Sequence, residues 1–389
     1  MDTPTQALLG ATLGQACFGG KLGARALVWG ALGGILPDLD LAAVRFMGSW
    51  SDVLHHRGVT HSLWFGPLVG SLLGYGIWRW HSGGWRREAR QAGRAGVDPA
   101  PADALHPGGP RMLRPWMGLL VLALLTHPLL DLFTSYGTQL LSPFSNRRFA
   151  IDAIAVVDPC YSLVLVSALA FGLVKGVRSS ASTRAALAAL AITTAYLLYG
   201  LVLNERAEAA VREQLAREGI REARVRCYPT LLQIYLRRTV VRTADEVRIG
   251  LVSMWKPAPV QWDRFPVSEG PLVRQVIHSR AGRIFDWFSM GQTLPRVEQR
   301  DGVVVVEITD LRYGYPMGEA ATGLWGIRAR FDDNGRMLGR IERFYRDLPR
   351  TREMAVELWR DAFGAGLRDG RNLPGERLSL NDRLRRCAS

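Results

Sequence analysis

The sequence predicts an α-helical polytopic membrane domain over residues 1–203, followed by an α+β extramembrane domain over 204–389. Three observations lead there. Long apolar runs recur as far as Leu203 and then stop. The remainder is polar, rich in arginine and patterned as short strands. Acidic and histidine clusters stand at the ends of the apolar runs, where ionisable groups are expensive and by default mark function.

Residues 5–19 and 24–37 are apolar, but each falls short of the roughly 20 residues a helix needs to cross a bilayer. Tilted, partial or re-entrant helices are expected there. Runs 62–80, 115–134, 159–176 and 185–203 are expected to span, with Trp64, Trp78, Trp80 and Trp116 at their ends as interfacial aromatics. Residues 81–114, rich in Gly, Pro, Ala and Arg, read as a flexible linker. Its arginines (Arg86, Arg87, Arg90, Arg94, Arg111, Arg114) mark one side of the membrane as cytoplasmic. Lys21, Arg25, Lys175, Arg178 and Arg184 fall on that side when the runs are counted. Loops 38–61 and 131–158 then face outward, as does everything after Leu203. From Asn204 to Arg221 a charged amphipathic helix is expected to leave the membrane. Strands are expected at 231–242, 246–255, 303–309 and 324–331, the last turning through Asp332-Asp333-Asn334-Gly335 into 336–345. Helices are expected at 271–288 and 351–366.

Composition narrows the class. A hydrophobic fraction of 48% with a net charge of +14 is an average over two unlike halves. The basic residues are nearly all Arg, and no recognition motif accompanies them, so nucleic acid is not an expected partner. The expected partner is the lipid bilayer. Cys17, Cys160, Cys227 and Cys387 show neither paired nor zinc-finger spacing, so no disulfide framework is expected. The start lacks a basic segment and carries Asp2, which does not read as a signal peptide.

The clusters hold imidazoles and carboxylates, the donors that bind divalent metal ions. Asp38 and Asp40 follow Pro37, placed either to share an ion or to cap the next helix. His56 and His61 bracket a glycine-containing turn. His127 and Asp131 are spaced i, i+4, which puts both on one helical face. Asp152 and Asp158 come next on the same side, and Asp158 precedes Pro159, so it either caps a helix or completes a metal shell. Arg57 is placed to hold an anionic phosphate or to anchor at the interface. Asn146, Arg147 and Arg148 are similarly placed for lipid headgroups.

These segments resemble the YdjM-like, membrane-bound metal-dependent hydrolases of bacteria. The resemblance rests on Met1-Asp2-Thr3-Pro4-Thr5-Gln6, Gly34-Ile35-Leu36-Pro37-Asp38-Leu39-Asp40, His56-Arg57-Gly58-Val59-Thr60-His61-Ser62 and Thr126-His127-Pro128-Leu129-Leu130-Asp131. It continues through residues 137–145 and 156–159, and in the polar half through Trp287-Phe288-Ser289-Met290-Gly291 and residues 309–314. It implies metal ligands at Asp38, Asp40, His56, His61, His127 and Asp131, with His55 only a neighbour. It also implies metal-dependent hydrolysis at the membrane, in which a metal-activated water would attack an ester or phosphoester, a lipid-linked one included. The charge bias puts the site of this multi-pass inner-membrane protein on the periplasmic side. Six donors exceed the shell of one catalytic zinc, so one or two ions, zinc or manganese, are expected. Asp158 and Arg57 are the residues expected to serve the chemistry beside the metal. An ion or proton transporter, or a metal-stabilised interaction protein, would use the same donors.

Overall fold

The computed structural model describes residues 1–44, 46–94, 106–300, 302–314, 322–346 and 351–363. The first half is helical. Helices α1 (Thr3–Leu22) and α2 (Ala24–Ile35) form a tight hairpin. A Cβ at Gly10 or Gly30 would run into the other residue's carbonyl oxygen, so only glycine permits this approach. A 3₁₀ turn (Leu36–Leu39) carries α2 into the short α3 (Asp40–Val44). Together Ala24–Val44 is long and apolar enough to cross a membrane. The expected short segments are therefore longer than the sequence suggested: α1 reaches 20 residues, and α2 is extended by the turn that holds Asp38.

After α4 (Ser51–His55), a π-helical turn (Gly66–Gly70) leads into α5 (Ser71–Arg94). This corrects the flexible linker. Residues 81–94 continue α5, because past Gly83 and Gly84 the run from Trp85 to Ala92 is mostly Arg, Glu, Gln and Ala, strong helix formers. Residues 106–112 fold back on the helices: Trp78 Nε1 donates to Gly109 O and Trp116 Nε1 to Pro107 O, both at 2.9 Å. Residues 95–105 lie outside the described residues.

Helix α6 (Leu113–Leu132) packs against α1, α2 and α5 around Leu22, Ala26, Ile77, Trp116 and Leu119. Helix α7 (Pro159–Lys175) pairs with α8 (Ser180–Arg217). Leu72, Leu163 and Val174 point apolar side chains outward, as lipid-facing surfaces should. Among the described residues three helical segments are long and apolar enough to span: Ala24–Val44, Pro110–Leu132 and Ser180–Arg217. Helix α8 runs unbroken for 38 residues, so the expected boundary at 203 falls inside one helix.

The second half holds two four-stranded antiparallel meanders. The first is β1 (Arg224–Pro229), β2 (Leu236–Arg242), β3 (Glu246–Ser253) and β4 (Asp263–Pro266). The second is β5 (Thr293–Arg300), β6 (Val303–Asp310), β7 (Trp325–Phe331) and β8 (Glu342–Tyr345). The expected 271–288 helix is split at Ser279, whose backbone is extended, into α9 (Pro271–His278) and α10 (Arg280–Phe288). The Ser279 side chain caps α10 by accepting from the Gly282 amide. Helix α11 (Thr351–Phe363) closes the described chain.

Two contacts of this half position the site. Ala207, Val211 and Leu215 of α8 bury themselves against Val225, Val241 and Val252 of the first sheet. The second sheet, with α9 and α10, packs on the site-bearing loops: Val53 joins the core of Phe285, Phe288 and Ile308. Arg343 grips Asp52 through two 2.8 Å bonds. Loops 38–61 and 131–158 thus lie against the α+β half.

Candidate metal centre

Four chain segments meet at one end of the helical half. Residues Leu36–Leu39 present Asp38, the turn Val59–His61 presents His61, and the end of α6 presents His127 and Asp131. The fourth segment is the start of α1, which lies against both carboxylates through Thr3 and Gln6. The Nε2 atoms of His61 and His127 face each other at 3.0 Å. Asp38 Oδ1 lies 3.5 Å from the first and 3.4 Å from the second. Asp131 Oδ2 is 3.4 Å from His61 Nε2 and 3.7 Å from His127 Nε2. Both histidines and Asp131 are buried, and Asp38 is nearly so.

Neighbouring groups fix the histidine tautomers. His127 Nδ1–H donates to the Gly34 carbonyl at 2.6 Å, an oxygen left over at the end of α2. Thr60 Oγ1 donates to Asp40 Oδ2 at 2.9 Å and sits 3.0 Å from His61 Nδ1, so it accepts that ring's N–H. Both Nδ1 atoms carry their protons away from the centre, and both Nε2 lone pairs point into it. Two lone pairs opposed at 3.0 Å beside carboxylates repel unless a cation lies among them. Burial pushes the His61 imidazole down to about 4, which keeps the ring neutral at physiological pH. Two imidazole nitrogens with one or two carboxylate oxygens suit zinc or manganese, and the orienting partners are those metal-binding histidines use.

The structure divides the six expected ligands into two sets. Asp38, His61 and His127 form the convergent group, with Asp131 within reach of both rings. Asp40 and His56 stand behind it. Asp40 Oδ1 meets His56 Nδ1 at 2.9 Å, while Oδ2 takes Thr60 and the Arg57 amide. They hold the His61 turn rather than face the centre.

Arg57 is buried, not an interfacial anchor. Its backbone is left-handed (φ 59°), a conformation that costs about 1 kcal/mol for a side-chain-bearing residue. That twist turns the guanidinium inward, with Nε 3.1 Å from Asp131 Oδ2 and Nη1 donating to Thr134 Oγ1 at 3.0 Å. Its face rests on the Tyr136 ring. Asp158 is elsewhere: Oδ1 caps α7 through the Tyr161 amide and Oδ2 accepts from Tyr196. Burial raises its carboxyl. Asp152 sits beneath the first sheet, where its carbonyl accepts from Arg237 and burial pushes its carboxyl up to about 6. Neither joins the convergent group.

Several residues went unnoticed in the sequence. Thr3 Oγ1 donates to Asp38 Oδ2 at 2.8 Å, and Gln6 Nε2 to Asp131 Oδ1 at 3.0 Å. The Met1 amino nitrogen also contacts Asp131. Residues 1–6 stood out only as part of the resemblance, which assigned them no task. Tyr136, walling the centre beside His56 and Arg57, is held from the other half: Arg312 Nη1 donates to the Ser135 and Tyr136 carbonyls at 3.0 Å each.

A helical membrane half that gathers histidines and carboxylates at one end, roofed by an extramembrane α+β half, defines an integral membrane protein with a potential metal centre. Within that class, the chain belongs to the YdjM inner membrane protein family, whose pattern matches residues 1–207. It is similar to the inner membrane protein YbcI of Escherichia coli (strain K12), with 32% identity over 140 residues. That alignment covers 34% of this chain and 65% of YbcI. No solved structure matches the chain.

Proposed function

We propose that the chain is a membrane-embedded hydrolase that uses one divalent metal ion, zinc or manganese, to cleave an ester or phosphoester bond. The observation that supports it best is the pair of opposed Nε2 lone pairs with Asp38 Oδ1 within 3.5 Å of each. A divalent ion there supplies Lewis acidity toward a carbonyl or phosphoryl oxygen and acidifies water.

The chain's own residues do the rest. Gly34 and the Thr60–Asp40 pair hold the imidazoles in the ligating tautomer. Arg57 balances the second carboxylate, Asp131, and keeps cationic charge beside the reacting position. The cluster sits at helix ends, where an amphiphilic, lipid-linked substrate can present its polar group. The arginines flanking α5 and α6 at the opposite ends favour a multi-pass arrangement with this face periplasmic.

The test is metal content of the full-length protein in detergent, wild type beside His127→Ala and Asp38→Asn, with ester and phosphoester hydrolysis assayed on the same samples. Stoichiometric metal and hydrolysis, both lost in the two variants, is the expected result. Equal metal in all three proteins would overturn the cluster. Metal lost from the variants while no sample hydrolyses any ester would replace the hydrolase with an ion-transport or structural site.

A further inference from the structure

Beside the metal cluster lies a buried cation that the described residues leave without a counter-charge. Arg148 is 7% exposed, although its neighbours Asn146 and Arg147 are at the surface. Its guanidinium is packed among Tyr136, Trp287 and Phe288, with Cζ 5.4, 5.1 and 5.1 Å from the ring centres. Nη2 donates to the Gly137 carbonyl at 2.7 Å and more weakly to that of Tyr136. Nε and Nη1 are buried and find no acceptor among the described residues. Of the five N–H bonds a guanidinium carries, the three on those two atoms are therefore unspent.

The other buried arginines nearby leave fewer donors open: Arg237 lacks a carboxylate as well, but only its Nε is without an acceptor among the described residues. Arg312 pairs with Asp310, and Arg57 lies against Asp131. Arg237 donates to four oxygens, on Asp152, Ala153, Asn204 and Gly200. Among the described residues no carboxylate pairs with Arg148. An unpaired buried charge is among the most expensive features a fold can carry, and burial pulls this one down to about 10. Aromatic faces return only a fraction of that cost.

We propose that Arg148, with Arg57 on the same Tyr136 ring, is the receptor for the phosphate group of an anionic ligand. Resting on the hydrolase reading, this makes the substrate class a phosphate ester. Both guanidiniums pack on that ring, Arg57 at 4.5 Å, so the receptor lies one aromatic side chain from the metal cluster. Two further hydroxyls in the same wall, Thr138 Oγ1 and Tyr313 Oη, are buried without partners among the described residues. Thr138 pairs its backbone with Phe149, next to Arg148. Open donors spread over several residues suit a tetrahedral oxyanion better than a planar carboxylate. Arginine is the side chain that recognises such groups best. The extramembrane half supplies Trp287, Phe288 and Tyr313 to this wall, which gives it a share in substrate recognition.

Phosphate binds metals as well, so the test uses full-length protein in detergent after the metal has been stripped with chelator. Inorganic phosphate and a short-chain phosphatidic acid are titrated separately, and binding is read by calorimetry and by thermal stabilisation. Wild type is expected to bind at least one of them. Arg148→Gln is expected to bind at least tenfold more weakly, with its metal content on reconstitution unchanged. Arg148→Lys keeps the charge without the planar donor set and is expected to fall between, which covers a glutamine variant that fails to fold. Preference for the phosphatidic acid identifies a lipid headgroup, and equal affinity identifies phosphate alone. The proposal is overturned if the stripped wild type binds neither probe, or if a folded Arg148→Gln binds as wild type does. Arg148-dependent binding in a protein that holds no metal would leave the receptor standing and remove the hydrolase.

Discussion

Replacing Thr60 by valine changes the volume at that position little and removes one oxygen. That oxygen joins two parts of the centre, accepting from His61 Nδ1–H at 3.0 Å and donating to Asp40 Oδ2 at 2.9 Å. Without it the nearest acceptor for the His61 N–H is Asp40 Oδ2, 3.6 Å away and beyond a hydrogen bond. Two hydrogen bonds are lost at roughly 0.5–1.5 kcal/mol each. Asp40 keeps His56 and the Arg57 amide, so the turn itself survives. What changes is the ring: its tautomer is no longer fixed, and the Nε2 lone pair is aimed at the centre only part of the time. Loss of such an orienting partner weakens metal binding about 10–100-fold, or roughly 1.4–2.7 kcal/mol. The assay is competition with a chelator of known affinity, on full-length protein in detergent, for wild type, Thr60→Val and Thr60→Ser. Serine keeps the hydroxyl and should restore most of the affinity. A folded valine variant that binds metal as tightly as wild type would refute the reasoning, as would a serine variant as weak as valine.

The same contacts set other outcomes. Asp158→Asn retains an oxygen for the α7 cap, so metal content should stay at the wild-type level; its loss would return Asp158 to the centre. Gly30→Ala forces α1 and α2 apart against the Gly10 carbonyl and should cost about 1–3 kcal/mol, read as a lower melting temperature in detergent. Arg312→Met strands the buried Asp310 carboxylate and frees the Ser135 and Tyr136 carbonyls. A loss of about 3–5 kcal/mol is expected in denaturant unfolding, and wild-type stability would refute the clamp. Asp152, pushed up to about 6 by burial, holds its proton in the fold at pH values where the unfolded chain has released it. Its contribution to stability is therefore lost as pH rises from about 4 to about 6, by at most ~3 kcal/mol. Asp152→Asn should raise the melting temperature at pH 7.5 and leave it nearly unchanged at pH 4, whereas an equal change at both would contradict the burial.

The carboxylates and histidines of the centre were legible because each closes an apolar run, where charge needs a reason. The separation of ligands from their supports was not. Asp38 and Asp40 are the same residue type two positions apart, and His56 and His61 flank one short turn. Only the folded geometry decides which one meets a neighbour's Nε2 and which meets an Nδ1 from behind. Thr3, Gln6 and Thr60 escaped notice because neutral polar residues carry no cost that would draw attention to them. Strands β2, β3, β6 and β7 were visible as runs rich in β-branched or aromatic residues, and most of their positions are buried on both faces. Strands β1, β4 and β5 are sheet edges, where Arg and Pro interrupt the pattern. The linker was misread over 81–94 because Gly and Arg dominate its composition, although no proline lies in that stretch.

Helix α8, at 38 residues, is about 57 Å long at 1.5 Å per residue. The hydrocarbon core of a bilayer is about 30 Å thick. Nearly half of the rod therefore stands clear of the lipid, and its clear end is buried in the first sheet through Val211 and Leu215. No hinge interrupts it. A rod without a joint fixes the sheet's position relative to the membrane helix that carries it. Arg237, rooted in that sheet, grips the carbonyls of Asp152 and Ala153 and of Gly200 on α8 itself. One unbroken rod and one arginine thus tie the first sheet, the membrane helix and the loop that carries Tyr136 and Arg148 into a single piece.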